Sequence, residues 1–127
     1  MKVLIYDHSV VPDISYQQRI RQLLSTIADI AVRFVNGILD ATWHTRHFRP
    51  DIIVFDWICD CKQLRKLVKM LHRIRPDVAM FHLDGTSFVV TASLCGITPA
   101  PAVPHWLHDM ASNWILAQCP PVPTMSS

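Results

Sequence analysis

Glycine is scarce in this chain, net charge is small, and long apolar runs are missing. Only three glycines occur among 127 residues, each alone at Gly37, Gly85 or Gly96. That excludes a collagen, a Gly-rich low-complexity chain and a Gly-rich loop for cradling phosphates. Twelve Lys and Arg against ten acids leave a formal charge of +2, too little to mark the domain as a nucleic-acid binder. No stretch approaches the roughly 18–20 apolar residues that span a bilayer, and Asp7 interrupts the opening run too early for a secretory segment. A soluble cytoplasmic protein is therefore expected. The four cysteines, Cys59, Cys61, Cys95 and Cys119, lie at spacings of neither zinc pairs nor a secreted disulfide scaffold, and are expected as reduced thiols.

Hydrophobic residues make up 50% of the chain and charged residues 17%, a balance that folds around a core. The length suits a single domain. Residues 3–6 form a short, wholly apolar run that ends at Asp7-His8, the pattern of a strand buried on both faces of a parallel sheet. Ser15 and Gln18 have capping-box spacing, and Ile20, Leu23, Leu24 and Ile27 follow at helical spacing, so a first helix is expected to start near Ser15. Residues 30–35 read as a more exposed second strand ending at Asn36-Gly37, and residues 38–47 as a weaker helix.

Residues 52–55 repeat the opening pattern of an apolar strand closed by an acid, Asp56. Over residues 61–75 the apolar positions Leu64, Leu67, Val68 and Leu71 share one helical face, with Lys62, Lys66, Lys69 and Arg73 opposite. Pro76 ends that helix, residues 78–83 supply another apolar strand, and Asp84-Gly85 closes it with a loop. A short helix over residues 88–94, a proline-punctuated stretch over 99–104 that is either a short edge strand or an extended segment, and a last helix over 105–119 complete the reading. Strands alternating with helices in this way specify an α/β fold of (βα)5 type, a doubly wound, flavodoxin-like parallel five-stranded sheet. The domain is placed at residues 1–119, with a Pro-rich linker or tail at 120–127.

Open parallel sheets bind ligands at the C-terminal ends of their strands. Asp7, His8, Asp56, His82 and Asp84 all fall at such ends. Two carboxylates together at a strand rim can hold a hard cation through oxygen or present a nucleophile to a phosphoryl group.

This order of strands, acids and helices resembles a response-regulator receiver domain from end to end, and the segment Arg49-Pro50-Asp51-Ile52-Ile53-Val54-Phe55-Asp56-Trp57 matches the family's phosphoacceptor strand. The resemblance implies Asp56 as the phosphoacceptor. It implies a Mg2+ site at Asp7, His8, Asp56 and the backbone carbonyl of Ile58, weakened because His8 stands where the family has a second acid. His82 falls at the family's Ser/Thr switch position, Val103 at its Lys position, and Pro104 at its cis-proline. Phosphoryl transfer rests on positioning and on neutralising oxygen charge, so losing an acid and a lysine removes two electrostatic supports. The resemblance is accordingly to an atypical, or pseudo-receiver, domain: not an enzyme, requiring no cofactor, and holding Mg2+ weakly at most.

Such a domain is expected to act as a signalling and dimerisation module at the N-terminus of a larger, transcriptional regulator. Its homodimer is expected on the face of the fourth helix, fifth strand and fifth helix, with Trp106, Met110 and Trp114 as interface candidates. Its other partner is an output domain or a signalling protein, with neither membrane nor direct nucleic-acid contact. One alternative is a phosphorylatable two-component response regulator in which Asp7, Asp56 and the His82 imidazole suffice. Another is a small α/β nucleotide- or metal-binding domain, for which His44 and His47, His105 and His108, and Cys59-Asp60-Cys61 are the ligand candidates. The basic stripe on residues 62–73 reads either as a solvated helix face or as a dock for acidic surfaces or phosphate-bearing ligands.

Overall fold

The computed structural model describes residues 1–7, 14–56, 62–91 and 102–118. Strands β1 (Lys2–Tyr6), β2 (Ala31–Val35), β3 (Ile52–Phe55), β4 (Ala79–Asp84) and β5 (Ser87–Val90) form one sheet in the order β2-β1-β3-β4-β5. The first four strands are parallel, and β5 runs antiparallel to β4. β1 and β3 hold the centre and β3 is buried along its whole length, as their uninterrupted apolar runs require.

Helices cover both faces. α1 (Ile14–Leu24) lies on one side with the C-terminal pair α4 (His105–Asp109) and α5 (Ala111–Gln118); α2 (Ile38–His47) and α3 (Lys62–Ile74) lie on the other. Strand alternation sorts the core between these layers. Ile52 and Val54 join Tyr16, Ile20, Leu24 and Trp114, whereas Ile53 and Phe55 join Ala41, Leu64, Leu67 and Leu71. The Arg19 guanidinium ties α1 to α5, its Nε donating to the Ala117 carbonyl at 2.8 Å. Among the described residues no helix is long and apolar enough to cross a membrane.

The doubly wound five-stranded sheet forms as expected, but it is mostly rather than wholly parallel, because its fifth strand is built differently. Of the two alternatives for residues 99–104, the described part fits the extended segment: 102–104 are not a strand and Pro104 is extended, while 99–101 lie outside the described residues. The edge strand is instead Ser87–Val90, where a helix was expected, folded straight back on β4 through the two-residue loop Gly85-Thr86. Gly85 supplies a φ of 62° at the first loop position, the arrangement of a II′ hairpin turn. The local turn chemistry and the β-branched Val89 and Val90 outweigh the alternation of strand and helix that predicts a crossover. Two smaller corrections concern helices. Ser15 lies inside α1 and does not cap it, and the expected last helix is two helices broken at Met110.

Candidate functional site

Asp7 and Asp56 leave the C-terminal ends of the two central strands side by side. Tyr6 and Phe55 are register partners, the Asp7 N–H donates to the Val35 carbonyl at 2.8 Å, and the Asp56 N–H reaches the Tyr6 carbonyl at 3.4 Å. Both side chains are almost wholly buried, 1% and 2% exposed. Asn36, at the end of β2, donates from its side-chain amide to the Asp7 carbonyl at 3.1 Å and so pins the rim. The paired carboxylates expected at adjacent strand ends are thus brought together.

The residue closing over them is Tyr16, from the first turns of α1. Its buried hydroxyl lies beside the Asp56 carboxylate, with the Trp114 indole next to the same hydroxyl and the Asp7 charge also within reach. Burial first, then the negative charge of Asp56 beside it, push the Tyr16 hydroxyl far above its ordinary range, so it stays neutral. Trp114 is fully buried and meets Phe88 edge-on, ring centroids 5.2 Å apart at 87°. On the opposite layer Tyr6 is also raised, by burial and against a hydrogen bond with the Gly37 backbone. Tyr16 is easily missed in the sequence because the clear apolar series begins at Ile20. One step of four residues back along the same stripe reaches it.

His82 is buried too, but it stands apart from Asp56. It is the register partner of Phe55, one residue short of Asp56, and therefore leaves the face covered by α2 and α3, while Asp56 leaves the face covered by α1 and α5. Its Nδ1 is 3.0 Å from the Thr91 hydroxyl. Val103 is half-buried against the apolar cluster beneath α4, and Pro104 is the N-cap of α4 in an extended conformation; neither ends a strand. His8 and Ile58, along with all four cysteines, lie outside the described residues.

Of the interface candidates, Trp114 and Met110 belong to the core and Trp106 is partly buried against it, so the surface of this layer is carried by Leu116 instead. The histidine pairs do not assemble a metal site. His44 is held by Asp40, Nδ1 to Oδ1 3.1 Å, His47 packs on Trp43, and no group of three or more His, Cys, Asp or Glu among the described residues could hold a metal ion. The Mg2+ implied by the resemblance needs several waters and octahedral room. Asp7 and Asp56 are hard oxygen donors, buried at adjacent strand ends, and the other two positions of the implied set, His8 and Ile58, lie outside the described residues.

Among solved structures, the receiver domain of NtrC4 from Aquifex aeolicus aligns with 92% of this chain and 93% of its own, with a TM-score of 0.55 at 15% identity. The RcsB response regulator of Salmonella typhimurium, described for conformational dynamism in DNA interaction, aligns with 97% of this chain and 72% of its own, with a TM-score of 0.53 at 13% identity. No family model matches the chain, and no curated protein matches it. The fold is therefore that of response-regulator receiver domains, flavodoxin-like with a mostly parallel sheet.

Proposed function

We propose that this chain is a receiver-type regulatory domain that works as a protein-interaction and dimerisation module and is not switched by phosphate. The observation that carries the reading is the burial of Asp56, the acceptor position, beneath Tyr16 and against Asp7. A phosphoryl group at Asp56 would bring about −1.5 to −2 charge into a buried site that already holds a second carboxylate. The positions that supply the hydroxyl and the cation in the family hold His82, turned to the other face, and Val103, which is apolar. Losing one such electrostatic support commonly costs on the order of 10²-fold in phosphoryl-transfer rate.

Output then follows from a population shift, with partners binding one arrangement of the α4, β5 and α5 face better than another. Leu116, 66% exposed on α5, and the half-exposed edge strand β5 give that face its apolar surface for a second copy. The larger regulator and its output domain are read from the resemblance alone.

The test is a titration with beryllofluoride and Mg2+, followed by tryptophan fluorescence, with Asp56→Asn as control and light scattering for mass. No saturable response, from a folded species of twice the 14.5 kDa chain mass, is expected. Saturable quenching that disappears in Asp56→Asn would refute the reading and make the chain a phosphorylatable regulator after all.

A further inference from the structure

We propose that the outer face of α2 and α3 is a docking surface for an acidic amphipathic helix of a partner protein. The two helices pack side by side on one face of the sheet, away from the α4, β5 and α5 face. α3 carries Lys62, Arg65, Lys66, Lys69 and Arg73, five of the twelve Lys and Arg of the chain, and no carboxylate. Lys62, Lys66, Lys69 and Arg73 stand directly opposite its buried residues Leu64, Leu67, Val68 and Leu71, in a row about 16 Å long at 1.5 Å per residue.

α2 presents the complement of a different kind. Its buried residues are Ala41 and Thr45, and opposite them lie Leu39, 87% exposed, and Trp43, 53% exposed, with Ile38 also exposed at the same end. Trp43 is exposed but braced. The His44 ring meets it edge-on at 4.9 Å, and the His47 ring lies over it at 4.6 Å and 34°. An aromatic held in place loses little freedom on binding, which is the property of an interface anchor. An apolar row on one helix and a cationic row on its neighbour, separated by the usual 8–10 Å between packed helices, match a ligand with apolar and acidic stripes side by side.

Charge selects among the occupants. A second copy laid face to face would bring five cations against five, so the face is unsuited to self-association. Nucleic acid would use the lysines but leave Leu39 and Ile38 against phosphates. A bilayer would have to take in Asp40, which is exposed between Leu39 and Trp43 and paired to His44 at 3.1 Å, against the repulsion of anionic lipid. A protein helix can set its carboxylates opposite α3 and its apolar stripe on Leu39 and Trp43, leaving Asp40 with His44.

The probe is a fluorescein-labelled synthetic helical peptide with Leu along one stripe and Glu at i, i+4 along the adjacent one, read by anisotropy against the full chain. A Lys-for-Glu peptide, phosphatidylserine vesicles and a single-stranded oligonucleotide serve as competitors. Expected are saturable binding of the Glu peptide only, weakening of about tenfold or more in Trp43→Ala, and a similar loss in Lys66→Glu/Lys69→Glu. The charge-reversed variant should gain the Lys peptide, a swap that mere misfolding could not produce. Far-UV circular dichroism confirms that the variants fold. Failure of the Glu peptide to bind, indifference to Trp43→Ala, or stronger binding of vesicles or oligonucleotide would overturn the proposal.

Discussion

Removing one oxygen, in Tyr16→Phe, tests how the rim of the sheet is held. The ring would keep its place, edge-on to Phe34 at 6.3 Å and 74°, while the buried hydroxyl beside the Asp56 charge is lost. A polar contact of a buried hydroxyl contributes about 0.5–1.5 kcal/mol, so the variant should be less stable by that amount at pH 7. For a domain of this size the loss lowers Tm by about 2–8 °C. The pH dependence is the sharper part. Folding raises the Tyr16 hydroxyl above its ordinary value, so below about pH 10 both states hold the proton and the stabilisation is complete. As the pH rises past 10 only the unfolded state ionises, and the wild type loses about 1.4 kcal/mol per pH unit more than the variant. Urea unfolding between pH 7 and 11.5 should therefore show two stability curves that converge at alkaline pH. A gap that stays constant across that range, or no gap at pH 7, would refute a neutral Tyr16 hydroxyl buried beside the Asp56 carboxylate.

Trp114→Ala empties the centre of the layer formed by α1, α4 and α5. It should cost about 3–5 kcal/mol in chemical denaturation, with loss of the contact to Phe88. Gly85→Ala adds a Cβ into open space but forces a side chain to a φ of 62°, so a loss of about 1–2 kcal/mol is expected with no change in core fluorescence. Thr91→Val keeps the shape but removes the oxygen facing His82 Nδ1. It should destabilise by about 1–3 kcal/mol and move the His82 ring resonances in NMR while leaving those of Tyr16 in place.

Much of this fold was legible in the sequence because its central strands are buried on both faces. Such strands must be uninterrupted apolar runs, and residues 3–6 and 52–55 are, so β1, β3 and the carboxylates at their ends could be placed by inspection. The same holds for α3, where a basic face opposite an apolar one admits no other secondary structure. α2 begins and ends at the expected residues, 38 and 47, because Gly37 and the approach to Pro50 bound it.

The rest depended on contacts between distant segments. Whether residues 87–90 pair back on β4 or coil into a helix is settled by the hairpin at Gly85 and by the edge that β4 offers, and a local apolar pattern of that length fits either outcome. A side chain's face at a strand end follows from register, so a single step separates His82, beside Phe55, from Asp56, beneath Tyr16. Trp114 reads equally as core or interface on a helical wheel, and only the packing of α5 against α1 buries it. Periodicity along the chain determined which elements form and which residues face inward; the partner each inward residue meets, Tyr16 over Asp56 above all, was decided only when the layers closed.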